Sequence, residues 1–183
     1  MFEIVSYAEF EARSNKLAHF LRDQGLGFQD HYAIFMENNE RYMESCSAGE
    51  RAGLYYTCIN SYLTGDELAY IVNNSESKVL ITSKAKIDVV ADALSSCPNI
   101  EVVLVTDAAD TDLPQLMTDY ASAILEYPAT PLADETLGTS MLYSSGTTGQ
   151  PKGIIRPLPV QAPQDPLPMY SFLSDLWGYR EDM

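Results

Sequence analysis

Hydrophobic and polar positions along this chain follow two rhythms, one helical and one continuous, and the two take turns. Ser6 followed by Glu9 has the spacing of a capping box, and Phe10, Leu17, Phe20 and Leu21 then recur near the helical period until Gly25, which predicts a helix over residues 7–24. A short apolar run, Tyr32 to Met36, leads through the polar "ENN" to a second helix from Glu40 to Ala52, stopped by Gly53. The run "LYYTCI" at 54–59 predicts a strand. Thr64 and Glu67 repeat the capping box ahead of Leu68, Ile71 and Val72, and predict a helix over 65–73. "KVLIT" at 78–82 and "IEVVLVT" at 100–106 predict further strands, with a helical pattern over 84–96 and a weaker one over 113–126. "TSMLYS" at 139–144 is again strand-like.

These strands are apolar without strict alternation, as strands are when helices cover both faces of their sheet. The expected fold is therefore a layered α/β domain of βαβ units with a mostly parallel sheet and right-handed crossovers. Ligands of such open sheets collect beyond the carboxyl ends of the strands, and the bend that follows "TSMLYS" is such a position. After Arg156 the character changes, since five of the ten prolines fall between Pro157 and Pro168. That segment excludes regular helix and central strand. The chain divides accordingly into residues 1–156 and a Pro-rich continuation of the same domain, 157–183, with a short amphipathic helix at 169–178. Tyr170, Phe172, Trp177 and Tyr179 place four aromatics there, which ask for a partner surface.

Charge narrows the function. With 26 acidic against 11 basic residues the formal net charge is −15, which repels phosphate backbones and excludes general nucleic-acid binding. Cys46, Cys58 and Cys97 match neither a disulfide framework nor a zinc site and read as reduced and mostly buried. No basic segment and apolar run are paired near Met1, and no apolar stretch reaches the ~18 residues of a membrane span, so a cytoplasmic address is expected and peripheral membrane contact is left open. His19 and His31 read as structural or solvated. Asn60 reads as a turn or cap, and "TDAADTD" at 106–112 lacks the glycine and terminal glutamate of a calcium loop and reads as a solvated linker. Of Tyr55 and Tyr56, one should point inward and one outward. Met36, Met43, Met117 and Met141 are expected in the core.

The chemistry concentrates in "YSSGTTGQPKG", Tyr143 to Gly153. Gly146, Gly149 and Gly153 allow successive N–H groups to turn toward one point and form an anion-binding nest. Ser144, Ser145, Thr147 and Thr148 add hydroxyl donors, and Lys152 adds a point charge on a long stem. Between Ile87 and Pro151 there is no lysine or arginine. An anion must therefore be held by these local donors, with a divalent cation, against an acidic field that salt screens over ~8 Å. The string is not a Walker A loop, because Lys152 sits between Pro151 and Gly153. Arg156 either extends the anion field or is solvated or carboxylate-paired.

"YSSGTTGQPKG" resembles, at every position, the phosphate-binding signature of the adenylate-forming (AMP-binding) enzymes, a superfamily of acyl-CoA synthetases, aryl-CoA ligases, peptide-synthetase adenylation domains and luciferases. "SYAEFEARSNKLAHFLRDQGL" and the segment from "ENNERYM" to "KVLITS" resemble that family's N-terminal region, and "GIIRPLP" is most similar to bacterial fatty-acid-type CoA ligases. The resemblance runs from Val5 to about Pro159. It implies the N-terminal portion of the family's large domain and a two-step reaction: a carboxylate attacks the α-phosphate of Mg-ATP, giving an acyl-adenylate and pyrophosphate, and the coenzyme A thiol then displaces AMP. It implies that Ser144, Ser145, Thr147 and Thr148, with the amides of Gly146 and Gly149, donate to the β- and γ-phosphates at the turn that Gly153 closes. Lys152 would be the catalytic cation that neutralises the pyrophosphate leaving group, and such a preset donor is commonly worth ~3 kcal/mol.

Two departures stand beside the match. Gln29 in "GFQDH" occupies the family's glycine position in a turn. The adenine and ribose contacts, magnesium carboxylate, acyl pocket, hinge and C-terminal lysine that the resemblance implies map onto none of residues 1–183. The chain therefore reads as a truncated N-terminal part of a carboxylate–CoA ligase, inactive alone. The alternatives are an acyl-AMP ligase that delivers to a carrier protein, and a non-catalytic nucleotide-binding fragment.

Overall fold

The structure, a computed structural model, describes residues 4–144, 149–165 and 167–178. Helix α1 (Tyr7–Asp23) begins where expected, with Ser6 Oγ accepting from the Glu9 amide at 3.2 Å and the Glu9 carboxylate accepting from the Ser6 amide at 2.9 Å. Then follow β1 (His31–Phe35), α2 (Glu40–Ala52), β2 (Tyr55–Cys58), α3 (Gly65–Asn74) and β3 (Val79–Ser83). A 3₁₀ turn at Lys84–Lys86 precedes α4 (Ile87–Leu94), and β4 (Val102–Thr106), β5 (Met117–Asp119), α5 (Tyr120–Ile124) and β6 (Thr139–Ser140) complete the sheet.

Six strands lie in the order β5-β4-β3-β1-β2-β6, all parallel. Alternation within each strand feeds two cores. Tyr32 and Ile34 of β1, Val79 and Ile81 of β3 and Leu104 of β4 pack with Leu17, Leu21, Ala48 and Tyr120 from α1, α2 and α5. The intervening Ala33, Phe35, Leu80, Val103 and Val105 pack with Leu68, Val72, Val90 and Ala93 from α3 and α4. Both sets are apolar, which is why the strands read as unbroken hydrophobic runs. The handedness rule divides the helices: the chain steps from β1 to β2 with α2 on one face, then reverses through β3 to β4, so right-handed crossovers put α3 and α4 on the opposite face. The strand order thus reverses between the adjacent β1 and β3, whose connections leave toward opposite faces, and ligands of such sheets collect at the carboxyl ends beside that reversal.

The last elements differ from the sheet. Antiparallel strands β7 (Leu142–Ser144) and β8 (Lys152–Ile154) form a separate ribbon, and α6 (Pro168–Trp177) follows the Pro-rich segment. "TSMLYS" is therefore two strands rather than one. Met141 marks the break, buried at 4% exposure with its amide donating to the Tyr56 carbonyl at 2.9 Å.

The weak helix expected over 113–126 is replaced by β5 and the short α5. Leu116 takes a left-handed φ of 72°, its carbonyl accepts from the Val103 amide at 2.8 Å, and Asp119 caps α5 by accepting from the Ser122 amide at 2.8 Å. Sheet pairing with β4 overrides the helical pattern. The helix expected over 84–96 is split by its initial 3₁₀ turn. Met43 is 59% exposed rather than in the core, because α2 buries Glu44, Ser45, Ala48, Gly49 and Ala52 on the opposite side. Met36, Met117 and Met141 are buried. Tyr55 and Tyr56 are both buried, on opposite sheet faces. All three cysteines are free, with Cys97 buried and Cys46 and Cys58 half-buried.

Candidate phosphate-binding hairpin

The β7–β8 ribbon pairs Leu142 with Ile154, Tyr143 with Gly153 and Ser144 with Lys152. Residues directly opposite in an antiparallel pair share a face, with Cβ atoms about 5 Å apart. One face therefore carries Ser144 and Lys152 at the loop end and Leu142 and Ile154 behind them, and all four are exposed. The other face carries Tyr143 and Gly153 toward the body of the domain. A Cβ at Gly153 would displace the flexible Met141 Cε and stand 3.1 Å from Tyr143 Cζ, so the ribbon lies close against these two side chains here. Gly149 has φ 116°, a left-handed backbone suited to turning an amide toward the loop centre. Ser145, Gly146, Thr147 and Thr148, the remaining predicted donors, lie outside the described residues.

Two tyrosines hold the ribbon on the sheet. Tyr143 Oη donates to Asn74 Oδ1 at 2.7 Å, and Tyr70 Oη donates to the Pro151 carbonyl at 3.0 Å, tying both strands to α3. Burial, reinforced by the neighbouring Tyr70, pushes the Tyr143 hydroxyl up to about 12, so it remains a donor at any physiological pH. Beyond β8, Tyr55 Oη donates to the Arg156 carbonyl at 2.6 Å, and Leu158 is buried against Tyr55 and Met141. Arg156 itself is exposed. Nothing in the sequence announced Tyr70 and Asn74 as supports, because they contact residues 81 and 69 positions away.

Lys152 makes no ion pair among the described residues. An exposed ammonium opposite a serine hydroxyl, beside a left-handed glycine, matches the donor set a polyphosphate needs. Magnesium is a different matter. Among the described residues no three His, Cys, Asp or Glu side chains gather where they could hold a metal ion.

The other candidates resolve as structural. His31 is half-buried and stacks on Tyr55 with ring centroids 4.8 Å apart, and burial pulls its imidazole below the ordinary 6.5. His19 Nε2 is 2.9 Å from the Thr130 carbonyl. Asn60 Oδ1 accepts from the Tyr62 amide at 3.1 Å and so caps a turn, and no helix among the described residues is long and apolar enough to cross a membrane.

Comparison with known proteins places the chain in a family. The 3-oxocholest-4-en-26-oate–CoA ligase of Rhodococcus rhodochrous is 34% identical over 155 residues, covering 82% of this chain and 28% of that protein. The medium-chain-fatty-acid–CoA ligase of Ectopseudomonas oleovorans is 30% identical over 155 residues, covering 81% of this chain and 28% of that one. The crystal structure of the anthranilate CoA ligase AuaEII in complex with anthranoyl-AMP shares the fold, with a TM-score of 0.70 at 22% identity over 80% of this chain and 28% of that one. This chain spans less than a third of the length of these relatives. The family described as AMP-binding enzyme matches residues 2–157, and the chain belongs to it.

Proposed function

We propose that this chain is the N-terminal part of an ATP-dependent carboxylate–CoA ligase for apolar acids, and that its β7–β8 hairpin holds the β- and γ-phosphates of ATP. The observation that carries this reading is Ser144 placed opposite Lys152 on the open face of a ribbon whose other face is fastened to α3. In this reading Ser145, Thr147 and Thr148, with the amides of Gly146 and Gly149, complete the cradle. The names of the relatives, ligases of medium-chain fatty acids and of a steroid acid with coenzyme A, support an apolar acid and a CoA acceptor over a carrier protein.

The chemistry asked of the hairpin is electrostatic. As a carboxylate attacks the α-phosphate, negative charge accumulates on the departing pyrophosphate. A fixed ammonium and preset hydroxyl and amide donors stabilise that charge more than they stabilise bound ATP, which is the condition for acceleration. Magnesium bound to the nucleotide would offset part of the phosphate charge beside Lys152. The acyl pocket and the CoA site are placed outside residues 1–183, so the chain alone binds phosphate without turnover and gives no ATP–pyrophosphate exchange.

The test is calorimetric titration of the 183-residue chain with Mg-ATP, magnesium pyrophosphate and AMP. Both polyphosphates should bind more tightly than AMP, and Lys152→Ala should weaken them at least about tenfold, the loss of one charge-assisted contact, while leaving AMP unchanged. Equal polyphosphate affinity in wild type and Lys152→Ala overturns the assignment.

A further inference from the structure

The sulfurs of Cys46 on α2 and Cys58 at the carboxyl end of β2 stand 3.8 Å apart. Neither belongs to the phosphate hairpin. Cys58 lines two clefts: one of about 390 Å³ at the β1–β2 crevice with Met36, Asn38 and Tyr42, and one of about 250 Å³ with Tyr143, Ser144 and Pro151. Cys58 is half-buried, so a small oxidant approaches it through the cleft at the carboxyl end of β2. A disulfide requires sulfurs about 2.0 Å apart, so closure asks for about 1.8 Å of movement.

We propose that Cys46 and Cys58 are a reactive thiol pair that hydrogen peroxide converts to an intramolecular disulfide. The thiolate of Cys58 attacks one peroxide oxygen, the O–O bond breaks, and water leaves after protonation, giving Cys58 sulfenic acid. The Cys46 sulfur then attacks the Cys58 sulfur, the S–O bond breaks, and the Cys46 proton leaves with the hydroxide as a second water. Two thiols and one peroxide thus become one disulfide and two waters.

The order of attack follows from the surroundings. The hydrogen bond from Cys46, opposed by burial and helped by one from Tyr42, brings the Cys58 thiol down to about 7. The same hydrogen bond and burial push Cys46 far up, making it the resolving partner. The other groups facing the pair are Tyr32 from β1, Glu50 from α2 and Tyr56 from β2. The Glu50 charge disfavours the thiolate, and the two tyrosines stay protonated because burial pushes their hydroxyls up. Cys97 is buried at 5% exposure, and burial alone pushes its thiol up. Cys58, the thiol whose anion is favoured by its hydrogen bonds, should therefore react faster than the buried Cys97.

The experiment uses the full chain, reduced, freed of reductant and exposed to hydrogen peroxide at pH 7. Arg51 lies between the two cysteines, so trypsin places them on separate peptides, 42–51 and 52–78. The expected result is a non-reduced map in which these two are linked within a monomer, with titratable thiols falling from three to one. Cys46→Ser should stop at a Cys58 sulfenic acid trapped by dimedone, and Cys58→Ser should slow thiol loss about tenfold. The wild-type map alone decides the matter if either variant fails to fold: absence of the 42–51/52–78 link, or a link through Cys97 or between chains in its place, overturns the proposal.

Discussion

Gly138 stands just ahead of β6, where the chain returns to the sheet before turning into the β7–β8 hairpin. Its φ is not in the left-handed region, so any residue could adopt its backbone, yet there is no room for a side chain. A Cβ built there collides with the Gly49 carbonyl oxygen and lies 2.5 Å from the Leu54 oxygen and 2.8 Å from the Leu54 nitrogen. All three are main-chain atoms of α2 and the start of β2, and none can swing aside. Gly138→Ala therefore forces β6 away from β2. The bonds at stake are Gly138 N–H to the Glu50 carbonyl at 2.7 Å, Thr139 N–H to Leu54 at 3.1 Å and Met141 N–H to Tyr56 at 2.9 Å.

At about 1 kcal/mol net per backbone hydrogen bond, losing two or three costs about 2–3 kcal/mol. The smaller conformational freedom of alanine in the unfolded chain returns about 0.5 kcal/mol. The expected destabilisation is thus about 2 kcal/mol, read as a lower urea midpoint by far-ultraviolet circular dichroism with an unchanged slope. Gly25→Ala is the control. Gly25 has φ 79° and nothing within 4 Å of an added Cβ, so it should lose only the ~1 kcal/mol of left-handed strain. A Gly138→Ala loss below about 0.5 kcal/mol, or below that of Gly25→Ala, refutes the steric argument.

Gln29 sits in the left-handed region at φ 71°, where the family resemblance expects glycine, and Gln29→Gly should raise stability by about 0.5–1 kcal/mol in the same urea assay. Burial holds the folded His31 imidazole below 6.5, so its contribution to stability is complete above that value and is lost as pH falls through the window beneath it. Circular dichroism melts between pH 7.5 and 5 should show a falling midpoint, and a His31→Phe chain should be flat until carboxylates titrate. A flat wild-type profile sinks that reading. Replacing Tyr70 and Tyr143 together by phenylalanine removes the two bonds that fasten the ribbon to α3, and should weaken Mg-ATP binding about three- to tenfold by calorimetry without touching a phosphate donor. Unchanged affinity would mean that the ribbon is held by other contacts.

The sequence by itself determined the parts of this protein that local rules govern. Ser6 with Glu9 starts α1, Gly53 ends α2, and the apolar runs at 32–36, 78–82 and 100–106 fall within two residues of the buried strands β1, β3 and β4, because capping and two-sided burial leave their marks within a few residues. The string from Tyr143 to Gly153 likewise carried its family likeness on its face. Tertiary structure decided what depends on partners far along the chain. Pairing with β4 made residues 117–119 a strand, the buried side of α2 left Met43 in solvent, and the break at Met141 turned one expected strand into a sheet edge and a separate ribbon. The space denied to Gly138 and the nearness of Cys46 to Cys58 exist only once α2 folds back on β2, since steric room and sulfur-to-sulfur distance are properties of assembled surfaces, not of sequence spacing.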